Sequence, residues 1–227
     1  MAEIHDARYG QITLKRHFKA KYVRLSVAPG GTLSITAPIY TPIRFIKRFI
    51  DDSSGEIDQL LTHHRTVYRD GDTIGKSHRL KLVASQSIEI AHKKPLIIVG
   101  LPPHVALDDH AVQQLLKPIV AKALRVEAQA YLPRRLAYLA ERGGFSYKKT
   151  YLSHAKSRWG SCSSTQTISL NIALMKLDFQ LIDYVIVHEL THTAKLNHSP
   201  GFWQLVQLND PDYKAHRKAL KQHSPHI

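Results

Sequence analysis

The stretch Asp178-Phe179-Gln180-Leu181-Ile182-Asp183-Tyr184-Val185-Ile186-Val187-His188-Glu189-Leu190-Thr191-His192 decides the reading of this chain, because it sets an H-E-x-x-H at the end of an apolar segment. Leu181, Ile182, Val185, Ile186 and Leu190 recur at helical spacing and are far too apolar for a surface loop. Asp178 stands where an N-cap belongs. Residues four apart on a helix lie one above the other, so His188 and His192 can present imidazole nitrogens to a single ion. The helical turn rotates Glu189 by about 100° from His188, which places its carboxylate beside the ion rather than on it. From there it can serve as the general base of a metal-assisted hydrolysis.

A catalytic zinc takes three protein ligands and leaves a position open, so the chain must supply one more donor. Downstream candidates are His198, Asp210, Asp212, His216, His223 and His226, and no glutamate follows Glu189. A glutamate third ligand on a later helix is thereby excluded on that side. His198 follows His192 at the separation found in the H-E-x-x-H-x-x-G-x-x-H signature of metzincins. Lys195 replaces the glycine of that signature, and neither Met1 nor Met175 lies beyond His198 to make a Met-turn. Asn197 is then expected to turn the chain in a left-handed conformation. Ser199-Pro200 reads as an N-cap and first position of a new helix carrying Phe202, Trp203, Leu205 and Val206.

Arg158-Trp159-Gly160-Ser161-Cys162, Ile168-Ser169-Leu170-Asn171, Asp183 to Leu190, Asn197-His198-Ser199 and Phe202-Trp203 follow one another along the chain. In this order they resemble the signatures of the YgjP-like metallopeptidases, zinc-dependent hydrolases related to the SprT-like proteins. The likeness is specific over about residues 145 to 215 and looser upstream. It implies one Zn2+ ion carried by His188, His192 and His198, Glu189 as the acid/base, and a cytosolic protein.

Composition is consistent with such an enzyme. Hydrophobic residues make up 43% and charged residues 22% of the 227-residue chain, close enough to globular averages to exclude wholesale disorder. A single cysteine, Cys162, allows no internal disulfide. No apolar run approaches the about 18 residues of a membrane span, and no signal-like segment follows Met1, so the cytoplasm is the expected compartment. The net charge of +14 favours polyanionic partners, nucleic acid among them. Residues 1–105 and 106–227 each hold 16 basic and 9 acidic side chains, so by halves no tail or single basic segment stands out, and a simply solvated basic surface is the other reading.

Along the chain, alternation at Ile12-Thr13-Leu14 and Leu33-Ser34-Ile35-Thr36, with Pro29-Gly30-Gly31 as a turn, predicts strands. Thr41-Pro42 opens a helix expected to end near His64. Asp70-Gly71 signals another turn, and Leu80-Lys81-Leu82 and Leu96-Ile97-Ile98-Val99 predict further strands. From Asp108 to about Arg142 the pattern is helical, with a kink or restart expected at Pro118 and at Pro133 and an end at Gly143-Gly144. Residues 147–153 and 166–172 read as strands flanking the Arg158 loop, and Asp210-Pro211 opens a last helix. The expected class is α+β, with a β-rich region at 1–105 carrying one helix and a zincin-like catalytic region with a small sheet at 106–227, the two forming either separate domains or one continuous domain.

Within the loop, Arg158, Ser161 and Asn171 are candidate substrate contacts. The strand edge can hydrogen-bond an extended peptide, while Arg158 either steadies an anionic group or pairs with an acidic neighbour such as Asp183. Trp159 is expected to pack behind the helix. Asn171 and Tyr184 are candidates to orient the histidines, Tyr213 is expected to pack, Cys162 stays outside the site, and His216, His223 and His226 are expected in solvent. The reading is a zinc hydrolase acting on peptide or protein substrates. A nucleotide phosphohydrolase, which no P-loop or acidic two-metal cluster supports, and a nucleic-acid-associated module are the alternatives.

Overall fold

The computed structural model describes residues 2–28, 32–58 and 67–227 and divides into two compact units, Met1–Thr66 and Val67–Ile227. In the first unit, strands β1 (Ala2–Asp6), β2 (Gly10–Arg16), β3 (Arg24–Ala28) and β4 (Thr32–Ala37) form a sheet in the order β1-β2-β4-β3. β2 and β4 run parallel, and the other pairs are antiparallel. Alternation puts Ile12, Leu14, Leu33, Ile35 and Ala37 on one face, where Ile46 and Ile50 of helix α1 (Ile43–Asp52) and Ile57 complete the core. Pro29-Gly30-Gly31 and the helix end expected near His64 lie outside the described residues.

The second unit opens with strands β5 (Thr73–Ile74), β6 (His78–Ala84), β7 (Glu89–Lys93) and β8 (Leu96–Leu101), paired in the order β5-β6-β8-β7. Helix α2 (His110–Gly143) follows, then β9 (Lys149–Ser153), β10 (Gly160–Cys162) and β11 (Thr167–Asn171), and a 3-10 turn at Ile172–Lys176. Helices α3 (Phe179–Thr191), α4 (Pro200–Asn209) and α5 (Tyr213–Leu220) complete the unit. The class is α+β, as expected. The division at 66/67 does not coincide with the expected 105/106, because Leu80, Ile97 and Val99 share one core with Val112, Leu116 and Ile186. Burial joins β5–β8 to the helices that follow.

α2 runs through both prolines without a restart. Each proline removes one backbone hydrogen bond, while fully buried Leu116 and Val120 beside Pro118, and Leu132 and Leu136 around Pro133, hold the axis by packing. Asp109 caps its start, accepting from the Ala111 amide at 2.8 Å, and Gly144 at φ 66° ends it as expected. β9 and β11 are the two strands foreseen around the Arg158 loop, and they pair in parallel. β10, inside the presumed loop, adds antiparallel to β11 as an edge strand.

Glu127 ties α2 to the turn before β6. Its buried carboxylate accepts from the amides of Lys76 (2.6 Å) and Ser77 (2.8 Å), from Ser77 Oγ (2.7 Å) and from His78 Nδ1 (2.7 Å). Gly75 (φ +69°) must lack a Cβ, since one would collide with that carboxylate. Burial alone would raise the carboxyl pKa, but the hydrogen bonds from Ser77, Lys76 and His78 outweigh it and hold the group below its ordinary value. A depressed carboxyl contributes stability that is present above the unfolded value of 4.5 and is lost as pH falls through the folded one. Glu127→Gln should therefore destabilise the protein by about 3 kcal/mol near neutral pH and flatten the acid limb of the stability curve. Urea unfolding of both proteins between neutral pH and pH 3 checks it, and equal midpoints throughout would remove Glu127 from this role.

Candidate active site

α3 positions the site because nearly all of it is interior. Leu181, Ile182, Val185, Ile186 and Leu190 are buried as their spacing predicts, and Tyr184, Val187, Glu189 and Thr191 are buried too. His188 and His192 are half-buried at its C-terminal end. Asp178 occupies the N-cap position, but its carboxylate makes no capping bond; its carbonyl accepts from Leu181 at 3.0 Å.

The reversal to His198 is not made by a left-handed Asn197. Among the described residues, Gln166 is the non-glycine residue with positive φ. The chain instead tightens just past the helix, where Thr193 donates to the Leu190 carbonyl at 2.9 Å and Ala194 to that of Thr191 at 3.1 Å. Thr191 and Thr193 hydroxyls reinforce it by donating to Val187 and Leu190. At the metzincin glycine position, the Lys195 amide closes the turn by donating to the Thr191 carbonyl at 2.9 Å.

This turn brings His188, His192 and His198 together, with ligand-type nitrogens all within 4.8 Å of one another. Nε2 of His198 lies 3.1 Å from Nε2 of His188. A tetrahedral ion with metal–nitrogen bonds of about 2.0–2.1 Å spaces its donors by about 3.3 Å, so the pair fits a shared cation. His192 faces the Lys195 carbonyl through Nδ1 at 3.1 Å. A carbonyl can only accept, so the proton sits on Nδ1 and the Nε2 lone pair is free. Burial, reinforced by His192, His198 and Arg217, pushes the His188 pKa down to about 3 and keeps that ring neutral, the form that ligates.

Glu189 is 7% exposed. Burial pushes its pKa up to about 7, and the positive charge of Arg158 works against that rise. A Cβ on Gly160 would lie 2.8 Å from Glu189 Cγ and 2.9 Å from Oε1, so the glycine lets β10 close directly over the carboxylate. Fully buried Phe202 lies with its ring centroid 5.0, 4.6 and 4.7 Å from those of His188, His192 and His198. Trp203 stacks on His198 at 5.5 Å and on Tyr213 at 5.6 Å, with the Arg217 guanidinium 4.5 Å from its ring centroid. Phe202 and Trp203 were legible as helix residues and as part of the family resemblance, but not as the wall against the histidines. Their place four and five positions after His198 was the available signal, and the Arg217 contact had none.

Other sequence candidates land differently. Asn171 is fully buried, donates to the carbonyls of Ala155 (2.7 Å) and Arg158 (2.8 Å), and accepts from the Ala173 amide at 3.0 Å. It anchors the loop, with its side-chain amide engaged by the backbone of Ala155, Arg158 and Ala173. Arg158 is exposed and Ser161 half-buried. Asp183 does not pair with Arg158: Arg135 on α2 holds it through Nε at 2.7 Å and through Nη2. Trp159 packs half-buried on the core, as expected. Tyr184 is buried with its ring 6.1 Å from that of His188, and Tyr213 is packed. His216 is not solvated but meets Asp210 through Nδ1 at 2.8 Å, which occupies that alternative metal donor. His226 is half-buried, its pKa lowered to about 4 by burial and by nearby lysines. Cys162 lies apart from the histidines, its thiol pKa raised by burial and by Glu189.

Among solved structures, the metallopeptidase zymogen of Pyrococcus abyssi abylysin is 20% identical, over 40% of this chain and 92% of that one, at a TM-score of 0.36. The metallopeptidase zymogen of Methanocaldococcus jannaschii jannalysin gives 20%, 40%, 93% and 0.36. No curated protein matches significantly. A family model described as "YgjP-like, metallopeptidase domain" matches residues 21–223, a span that contains the three convergent histidines, Glu189 and the strand over it. The chain belongs to the YgjP-like metallopeptidase family.

Proposed function

We propose that this metallopeptidase is a zinc enzyme in which His188, His192 and His198 hold one Zn2+ ion and Glu189 is the general base. The observation that carries it is the convergence of three imidazoles beside a buried carboxylate. When bound, zinc would supply a Lewis acid that acidifies a water and polarises a scissile carbonyl. Glu189 takes the proton of the attacking water and returns it to the leaving amine. Its raised pKa makes the carboxylate basic enough for the first step and acidic enough for the second. Gly160 leaves it no room to swing toward the strand. Substrate lies along the edge strand β10, which has an unpaired side for an extended peptide, with Ser161 and Arg158 as side-chain contacts. Among the described residues no helix is long and apolar enough to cross a membrane, and the lone thiol suits the reducing cytoplasm, where we place the protein.

Glu189→Gln should keep wild-type zinc stoichiometry and lose peptide hydrolysis by about 10²-fold or more; near-wild-type turnover of the loaded variant would assign the base elsewhere. His198→Ala should weaken zinc binding strongly, whereas Asp210→Ala and Asp212→Ala should not. Zinc titration of the three variants decides this, and a large loss in Asp210→Ala would move the third ligand. Gly160→Ala should bind zinc normally yet lower kcat by about tenfold or more, because the added methyl displaces the base and not the ligands. Unchanged kcat at full zinc occupancy would show that the close approach is only packing.

A further inference from the structure

Between residues 7 and 50 the chain has no Asp or Glu, but nine cations: Arg8, Lys15, Arg16, Lys19, Lys21, Arg24, Arg44, Lys47 and Arg48. The fold of the first unit concentrates part of this run. Because β2 and β4 are parallel neighbours, with Arg16 opposite Ala37, the segments leaving their C-terminal ends emerge side by side. Backbone and side-chain bonds lock that arrangement. The His17 amide donates to the Ala37 carbonyl at 3.0 Å, and Arg16 Nη1 donates to the carbonyls of Ile39 (2.6 Å) and Thr41 (2.8 Å).

The two segments carry aromatic side chains that the core does not use. Phe18 is 73% exposed, Tyr22 80% and Tyr40 92%. Leaving three rings in water forfeits burial that each would otherwise gain. Cations sit beside the rings: Lys19 Nζ lies 5.5 Å from the Phe18 centroid, and Lys21 directly precedes Tyr22. His17 already stacks on Phe18 at 5.2 Å with planes 13° apart, so one flat face of this segment is in use as a stacking surface.

We propose that this loop face of the N-terminal unit binds single-stranded nucleic acid, with unpaired bases stacking on Phe18, Tyr22 and Tyr40 and phosphates passing Arg16, Lys19 and Lys21. Aromatic rings interleaved with cations are what a single strand offers partners for, since every base has a π face and every linkage a negative charge. A duplex hides its base faces, so it would engage the cations alone. An anionic membrane would also attract the cations, and Ile39 and Ile43 are exposed on either side of Tyr40; flat rings beside cations favour stacked bases, and vesicles are the competing arm of the test. The inference is independent of the zinc assignment, because no residue of the hydrolytic site takes part.

The test uses the full chain and labelled oligothymidylate and oligouridylate of about 16 nucleotides, followed by fluorescence anisotropy across a salt series. Both single strands should bind more tightly than a duplex of equal length. Phe18→Ala, Tyr22→Ala and Tyr40→Ala should each weaken binding about fivefold or more with the salt slope unchanged. Lys19→Gln and Lys21→Gln should each reduce the slope by about 0.7. Tyr138→Ala, at an exposed ring of the second unit, should change nothing. The proposal is overturned by no binding at low salt, by equal affinity for duplex, by equal competition from polyglutamate, by indifference to the ring substitutions, or by binding to phosphatidylserine vesicles in place of the oligonucleotides.

Discussion

Burial of α3 is the constraint on which the rest of the site depends. Its apolar side chains sit in the main core with those of α2 and β11, so the helix has no freedom to rotate or slide. Arg135 adds a directional clamp from α2 through its paired bonds to Asp183. With the helix held, His188, Glu189 and His192 stand at a fixed depth at its end. His198 needs only a short, tight turn to reach them.

Electrostatics follow from that depth. The same burial that keeps His188 neutral raises the Glu189 carboxyl pKa toward neutrality. One physical cause thus shifts two neighbouring groups in opposite directions, as the proposed ligand and base roles require. Around them the polar groups are mostly engaged: His192 by Lys195, Asn171 by the Arg158 loop and Asp210 by His216. The aromatic wall of Phe202 and Trp203 closes the other side, and Arg217 lies over the indole.

The first unit has a different character. Its core is a small aliphatic set, from Ile4 to Ile57, that leaves the rings and cations of two loops outside. A sheet with a parallel central pair puts those loops at one end.

The sequence by itself determined the local matters. Periodicity marked α3, four-residue spacing paired His188 with His192, and the strands at Ile12–Leu14, Leu33–Thr36, Leu80–Leu82 and Leu96–Val99 followed from alternation and apolar runs. What it could not show depends on contacts between distant residues. The prolines of α2 looked like breaks because propensity does not count the packing of Leu116, Val120, Leu132 and Leu136. The unit boundary fell earlier than the order of elements suggested, since Leu80 and Ile97 find their core partners on later helices. Arg135 rather than Arg158 met Asp183, and Gly160 proved to be the roof over Glu189. A side chain's chemistry is written in its own residue, but its partner is chosen by the tertiary packing that brings two segments to within hydrogen-bonding distance.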